Sequence, residues 1–141
     1  MSIPQIDSYL FFDGNCAEAM KFYEKTLGGK LEMMMTAAQS PDADKFPPAM
    51  KDKILHAAIN LNGRMLMASD DMSGTPYSGM KGFSLSLIYP TADEARRIFD
   101  ALGAGGKVIM PMAKTFWAEA FGMLTDKYGV AWMVWMPSPK A

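Results

Sequence analysis

The feature that most constrains this sequence is a stretch that occurs twice in altered form. FYEKTLGGK spans residues 22–30, and FDALGAGGK spans residues 99–107. Phe22 corresponds to Phe99, and each copy closes on Gly-Gly-Lys. An internal duplication is typical of units that stack because neither buries its apolar face alone. The repeat therefore predicts two modules with the same order of elements.

The first copy lies in a readable series of elements. A helix is expected to begin after Asn15, which would cap it in a capping box with Glu18, and to end at Gly28. The strand IDSYLFF precedes this helix, and the short strand KLEMMM follows it. Two more strands are predicted in ILHAAINLNGRMLMASD, because Asn62-Gly63 between alternating apolar runs is a strong hairpin signal. The first half is therefore strand, helix and three strands.

The second half repeats this order. GFSLSLIY is a predicted strand, Thr91 is expected to cap a helix that stops at 103–106, and KVIMPM, WAEAFGMLTD and VAWMVWM are the last strands. The prediction is an α+β fold of two tandem βαβββ modules, at about 4–72 and 80–138, within a single domain 1–141. Segment 73–82 is the expected linker. Whether the polar loop 37–53 forms a lid is left open.

Composition excludes several classes of protein. The formal net charge is −1 and the basic residues are scattered, so a nucleic-acid partner is not expected. No apolar run approaches the roughly 20 residues that span a bilayer, so no membrane association is expected. One cysteine and an N-terminus without a secretory signal predict a soluble, cytoplasmic protein. The 15 methionines fit either flexible core filling or an adaptable apolar pocket.

Three segments together carry a family resemblance. YLFFDGNCAEAMKFYEKTLGGK, ILHAAINLNGRMLMASD and TFWAEAFGMLTDKYGVAW resemble the vicinal oxygen chelate superfamily of glyoxalases, bleomycin resistance proteins and dioxygenases, and look most like its PhnB-like branch. The resemblance implies a glyoxalase-like fold, in which two modules form a half-open cup of eight strands, and a homodimer. Metal-using relatives hold one divalent ion with His, Gln or Glu side chains from both modules.

The residues at the corresponding metal-ligand positions differ in this chain. By resemblance these positions fall on Ser8, Asn60, Ser84 and Met133. Divalent ions of the hard and borderline classes prefer carboxylate or imidazole ligands, which none of the four supplies. We therefore expect no metal at this site and no other cofactor.

The predicted ligand-binding residues share positions that the resemblance assigns to the cup: Ser8, Asn60, Ser84, Trp117 and Met133. His56, the only histidine, is a candidate general base or a structural histidine within the sheet. Glu119 is a candidate proton carrier. Cys16, at a predicted helix start, is either a reactive thiol or a small packing residue.

Three functions follow as alternatives. The first is a metal-free protein that binds a small organic molecule of unknown identity. The second is a lyase, isomerase or oxygenase-type enzyme with an atypical site, which needs a second titratable group in the same pocket, with Asp70, Asp71 and Glu32 as candidates. The third is a structural or interaction role of the dimer.

Overall fold

A computed structural model describes residues 2–139, and the chain divides into two compact units, with the boundary in sequence between Ser78 and Gly79. The elements of unit 1 follow the predicted order of strand, helix and three strands. They are β1 (Ser8–Phe12), α1 (Cys16–Leu27), β2 (Lys30–Thr36), β3 (Ile54–Leu61) and β4 (Arg64–Asp70).

Unit 2 repeats this order, as the duplication predicts. Its elements are β5 (Leu85–Ile88), α2 (Ala92–Gly103), β6 (Lys107–Ala113), β7 (Ala118–Thr125) and β8 (Ala131–Pro137). Each helix has 12 residues, and within 2–139 no helix is both long and apolar enough to cross a membrane.

The two sheets share one topology. Strand order is β1-β4-β3-β2 in unit 1 and β5-β8-β7-β6 in unit 2. In each unit the first strand runs parallel to the last, and the remaining neighbours are antiparallel. The predicted α+β class and the two βαβββ modules are confirmed.

One face of each sheet packs against the helix of its own unit. In unit 1, Leu10 and Phe12 of β1 are buried on this face, and the ring centroids of Phe12 and Tyr23 of α1 lie 6.5 Å apart. In unit 2, the Phe99 ring of α2 lies so close to Gly122 of β7 that a side chain there would overlap it. Burying an apolar side chain of this size contributes roughly 1.5–3 kcal/mol, so these faces form the cores.

The caps of the two helices differ from each other. Thr91 caps α2 as predicted, because its side chain accepts from the Glu94 N–H at 3.2 Å. The capping box predicted for Asn15 is wrong, since the described structure gives the Asn15 side chain no cap hydrogen bond. The Cys16 N–H instead donates to the Asp70 carboxylate at 3.0 Å. A residue 54 positions away in the chain takes the role of a local cap.

The repeated Gly-Gly-Lys has a packing reason. The second glycine of each copy, Gly29 or Gly106, lies against the backbone of the third strand of its unit. A Cβ on Gly29 would approach the Asn60 carbonyl oxygen to 2.7 Å, and a Cβ on Gly106 would overlap the Thr125 carbonyl oxygen. Only glycine allows this approach, so both copies keep it at the point where the chain leaves the helix.

The hairpin between β3 and β4 forms at the predicted turn. Both turn residues have positive φ, 56° at Asn62 and 90° at Gly63. This is the pattern of a two-residue type I′ turn, which matches the twist of the flanking strands.

The predicted loop 37–53 contains three short 3₁₀ turns, at 37–39, 43–45 and 48–50. Its base is closed by two backbone hydrogen bonds of 3.0 Å, from the Ala37 N–H to the Lys53 carbonyl and from the Ala38 N–H to the Lys51 carbonyl. The Ser40 hydroxyl is buried and donates to the Ala37 carbonyl at 2.9 Å. The segment is therefore a compact loop with its own hydrogen bonds.

Candidate functional site

Each sheet has a second face that its own helix does not cover, and we call it the open face of that unit. Side chains alternate along a strand, so the residues between the buried ones project from the open face. In β1 these are Tyr9 and Phe11, between Leu10 and Phe12. In β8 they include Met133 and Trp135, beside buried Trp132 and Val134.

The open face of unit 1 carries aromatic and methionine side chains. Tyr9 is 39% exposed, Phe11 is 54% exposed, and their ring centroids lie 5.2 Å apart. Met67 of β4 and Met33 of β2 lie on either side of Ala58 of β3 in the strand register. An exposed apolar surface of this kind is typical of binding sites.

The polar feature of this face is a pair formed by Tyr9 and His56. The Tyr9 hydroxyl and His56 Nδ1 lie 3.0 Å apart, and the rings stack with centroids at 5.5 Å and planes at 28°. Because Nδ1 is engaged with the hydroxyl, His56 is oriented and its Nε2 atom is the one available to another group. No other hydrogen bond of the imidazole occurs within residues 2–139.

The open face of unit 2 carries a cluster of aromatic rings. Phe121 lies edge-on to Trp117 at 5.6 Å and to Trp135 at 6.2 Å between ring centroids. The Trp135 indole N–H donates to the Ser86 hydroxyl at 2.7 Å. Met133 is the register partner of Ser86 and therefore lies beside this cluster. We call Trp117, Phe121 and Trp135 the aromatic cluster.

Three of the five predicted ligand-binding residues belong to unit 2. Trp117 is a member of the aromatic cluster, and Met133 lies on the same open face. Ser84 precedes β5, is half-buried, and is two positions before Ser86 on the same side by alternation. The structure thus places these three residues on one side of the unit 2 sheet.

The two predicted residues of unit 1 lie on different faces. Ser8 is on the face of Leu10 and Phe12, toward α1, and is half-buried. Asn60 is on the open face beside the hairpin turn, where its Oδ1 accepts from the Gly63 N–H at 2.7 Å and its Nδ2 donates to Glu32 at 3.3 Å. Asn60 therefore already stabilises the turn, and its role in binding a ligand stays a prediction.

The residues at the family's metal-ligand positions do not fit a divalent ion of the hard or borderline class. Two serine hydroxyls and a thioether are poor donors for such an ion, and the Asn60 amide is already hydrogen bonded at both atoms. Across residues 2–139, no three His, Cys, Asp or Glu side chains lie where they could hold a metal ion together.

Glu119 and the three carboxylates considered as partners of a proton carrier each have interactions of their own within their unit. Glu119 of unit 2 forms an ion pair with Lys114, in which its carboxylate lies 3.7 Å from the ammonium group. The three carboxylates considered as partners already accept hydrogen bonds. Asp70 accepts from two backbone N–H groups, and Asp71 accepts from the Ser73 N–H. Glu32, in β2, accepts from the Asn60 amide. Backbone hydrogen bonding to Ser73 lowers the pKa of Asp71 below its ordinary value, so Asp71 is a carboxylate at neutral pH.

Two other side chains have shifted acidity. Burial raises the pKa of the Cys16 thiol to about 12, and the nearby Asp70 carboxylate adds to the shift. Burial and then the Asp13 and Asp71 carboxylates raise the pKa of Tyr77, whose hydroxyl donates to the Phe11 carbonyl at 2.7 Å. Both groups are neutral at pH 7, so Cys16 is a packing residue and not a reactive thiol.

Residues 4–135 match the model of the 3-demethylubiquinone-9 3-methyltransferase family, over most of the chain. The chain belongs to this PhnB-like family. The family resemblance inferred from the three segments is thereby confirmed.

Named relatives of this PhnB-like protein extend over nearly its full length. Protein YjdN of Escherichia coli K12 is 37% identical over 137 residues, which are 92% of each chain. The crystal structure of PA1353 from Pseudomonas aeruginosa is 48% identical, has a TM-score of 0.88, and covers 95% of this chain and 98% of its own. A PhnB protein from Bacillus cereus is 25% identical, with a TM-score of 0.77 and coverage of 94% and 99%.

A more distant structure identifies the fold. A glyoxylase/bleomycin resistance protein/dioxygenase domain from Frankia is 12% identical, with a TM-score of 0.70, and covers 99% of this chain and 96% of its own. At this identity the likeness concerns the fold alone, and it places the PhnB-like protein in the glyoxalase/bleomycin resistance fold.

The description of the family names a methyltransferase. The residues of this PhnB-like protein do not fit the cofactor-binding site that is found in doubly wound α/β folds. Such a site needs a strand, a glycine-rich turn and a free helix N-terminus. Segment 103–106 contains the glycines, but it follows α2 instead of preceding a helix. The N-terminus of α1 is occupied by the Asp70 carboxylate.

Sequence reasoning missed three open-face residues, Tyr9, Phe121 and Trp135. Their alternation with buried neighbours was available in the sequence. The sequence signals used for ligand contacts are small polar residues and positions implied by the family, and these signals do not single out large aromatic residues on the same strands.

Proposed function

We propose that this PhnB-like protein binds a small, mostly apolar organic molecule without a divalent metal ion. The observation that carries the proposal is the aromatic cluster on the open face of unit 2. Ligand sites in proteins are mostly apolar and hold a few polar groups that orient the ligand. The half-buried rings of Trp117 and Trp135 supply the apolar surface beside the buried Phe121 ring, and Ser86, with Ser84 two positions before it, supplies hydroxyls.

The geometry of the cluster favours a flat ligand. Trp117 and Trp135 each meet Phe121 nearly perpendicular, at interplanar angles of 76° and 67°. A planar aromatic molecule stacks on such rings in offset or edge-to-face contacts, which contribute about 0.5–1.5 kcal/mol each beyond the buried area. The flexible Met133 side chain, on the same face, adapts to ligands of different outline.

The test is a thermal-shift screen of planar aromatic compounds, followed by titration of the tryptophan fluorescence. All three tryptophans lie in unit 2, so a ligand on its open face changes their emission. For each compound that raises the melting temperature, we expect Trp117→Ala to weaken binding at least about 10-fold, as loss of a central aromatic contact does.

The matched control is Phe116→Ala. Phe116 is adjacent in sequence and contacts the Trp117 ring at 4.7 Å, but it is 89% exposed. We expect its removal to change affinity less than about 3-fold, since rim contacts contribute little. Far-ultraviolet circular dichroism shows whether each variant is folded. A screen without stabilising compounds, or folded variants with equal affinities, rejects the proposal.

The absence of a divalent metal is tested on protein purified without chelator or affinity tag. We expect no stoichiometric Ni, Zn, Mn, Fe or Mg by elemental analysis, and no rise in melting temperature when these ions are added. An ion whose free concentration is 100 times its dissociation constant would stabilise the fold by about 2.7 kcal/mol, and this would raise the melting temperature measurably. Such a shift would restore metal-assisted chemistry as the leading interpretation.

We also infer that the protein is a homodimer. The edge strand β6 exposes three consecutive apolar side chains, Val108, Ile109 and Met110, each more than two-fifths exposed. An uncovered edge strand with apolar side chains on both faces is a site of association. A second copy of the chain is the proposed partner.

A further inference from the structure

The open face of unit 1 carries several side chains with soft or borderline donor atoms, among them Met33, Met67 and His56. Ala58 of β3 lies in the register between Met67 of β4 on one side and Met33 of β2 on the other. Directly opposite residues have Cβ atoms about 4.5–5.5 Å apart. Because Ala58 has only a methyl group, the two longer side chains on its flanks can converge above it.

His56 is the third donor, two residues before Ala58 on the same strand and face. Two residues of a strand span about 6.6 Å, so the imidazole lies beside the same spot. Its Nδ1 atom is 3.0 Å from the Tyr9 hydroxyl. When Nδ1 carries the proton and donates it to the Tyr9 oxygen, the lone pair of Nε2 is free to bind a metal, and such an outer hydrogen bond is the usual way a metal-binding histidine is oriented.

The donor set determines which ion would fit. Two thioethers and one imidazole are ligands for Cu(I), which prefers soft donors, whereas Mg²⁺, Ca²⁺ and Mn²⁺ prefer carboxylate and carbonyl oxygens. Three donors suit the low coordination number of Cu(I). The face is also apolar and aromatic, with the ring centroids of Tyr9 and Phe11 5.2 Å apart.

We propose that Met33, Met67 and His56 bind one Cu(I) ion above Ala58, with Tyr9 as the residue that positions His56. None of the three donors is a residue at the family's metal-ligand positions or a member of the aromatic cluster. It involves binding only, with no change in the oxidation state of the ion.

The experiment is an anaerobic titration of the full chain with Cu(I) held by bicinchoninate, whose colour reports the free ion. We expect one equivalent of Cu(I) to transfer to the protein. Met33→Leu, Met67→Leu and His56→Gln are each expected to weaken binding by about 100-fold, and Tyr9→Phe by about 10-fold, as loss of an orienting hydrogen bond does. Leucine conserves the volume of methionine, so the fold is expected to persist.

The matched control is Met65→Leu, on the same strand and face as Met67 but opposite Asn60 instead of Ala58. We expect its Cu(I) affinity to equal that of the unchanged protein. A second measurement uses Ag(I), a stable mimic of Cu(I), and the methyl NMR signals of methionine. The signals of Met33 and Met67 should shift on addition of one equivalent, and the Met65 signal should not.

Three results of these experiments would overturn the proposed Cu(I) site. Failure of the protein to take Cu(I) from bicinchoninate overturns the proposal. Equal binding by the Met33, Met67 and His56 variants, or a loss in Met65→Leu as large as in theirs, also overturns it, because the ion would then lie elsewhere. Since the probe is the ion alone, none of these results bears on binding of organic molecules in unit 2.

Discussion

The Cys16 thiol lies at the first position of α1 with no exposed surface, beside the buried Asp70 carboxylate. A helix N-terminus by itself favours a thiolate. In Cys16, burial opposes ionisation more strongly than the helix N-terminus favours it, and the adjacent Asp70 carboxylate also opposes ionisation. The pKa of the thiol is therefore raised from the ordinary 9.0 to about 12. At the residue scale, desolvation therefore decides the chemistry of this side chain.

The prediction for Cys16 is that the native thiol resists labelling. At pH 8 a pKa of about 12 leaves roughly one thiol in ten thousand ionised, compared with about a tenth for an ordinary cysteine. Dithiobisnitrobenzoate should react within minutes in 6 M urea and far more slowly with native protein. Rapid labelling of native protein would show that Cys16 is exposed or ionised.

The same shift has a consequence for stability at alkaline pH. The folded pKa is higher than the unfolded value, so the neutral thiol contributes its full stabilisation below about pH 9. That contribution is lost as the pH rises from about 9 through about 12. Cys16→Ser, which does not ionise in this range, is the reference for urea unfolding at pH 8 and pH 10.5.

Residue roles on the strands were only partly predictable from sequence. In the structure, Tyr9 and Phe11 lie on the face opposite Leu10 and Phe12, and Met133 and Ser84 lie on the open face of their unit. Ser8 lies on the helix-packed face, because small polar residues are tolerated at the end of a buried strand face. Sequence patterns show which residues share a face, but not which hydroxyls and amides are already hydrogen bonded.

At the scale of elements, Asp70 joins three segments of unit 1. At the end of β4, its carboxylate accepts from the Cys16 N–H at the start of α1 at 3.0 Å and from the Ile54 N–H at the start of β3 at 2.8 Å. Asp70 is 2% exposed. A buried carboxylate is tolerated because charged hydrogen bonds to backbone N–H groups compensate for lost hydration.

We expect Asp70→Asn to destabilise unit 1 by about 1–3 kcal/mol. The amide nitrogen of asparagine cannot accept, so one buried N–H loses its partner. Far-ultraviolet circular dichroism during urea unfolding measures the effect, because tryptophan fluorescence reports only unit 2.

The control for Asp70→Asn is the neighbouring change Asp71→Asn. Asp71 is at the surface, and asparagine can still accept from the Ser73 N–H at 3.0 Å. Its effect should be within about 0.5 kcal/mol, as for most surface substitutions. Equal unfolding midpoints for the two variants would contradict the role given to Asp70.

The order of elements could be predicted because its signals are local. Apolar alternation, the Asn62-Gly63 turn and the duplicated glycines each act over a few residues, and each predicted strand and helix is present. The cap of α1 could not be predicted, since its acceptor is 54 residues away in sequence. Long-range hydrogen bonds leave no periodic pattern in the chain.

At the scale of the whole molecule, the proposed homodimer predicts a response to a charge on β6. Ile109 is 51% exposed and is the third residue of this strand, and burying a lysine there without a partner is costly. We expect the unchanged protein to sediment as a dimer at micromolar concentration and Ile109→Lys as a monomer. Lys107→Ala, at the end of the strand, should remain dimeric. A monomeric unchanged protein rejects the homodimer.

The closed base of the 37–53 loop has a further consequence for how the chain can be joined. Two backbone hydrogen bonds close the base of the loop, from Ala37 to Lys53 and from Ala38 to Lys51. The Asp70 carboxylate also accepts from the Ile54 N–H at the start of β3. These contacts keep β2 and β3 in register, and none of them involves the peptide bonds between 41 and 48. We therefore expect the sheet of unit 1 to form without covalent continuity across that stretch. Two separately made pieces, divided there, are expected to reassemble.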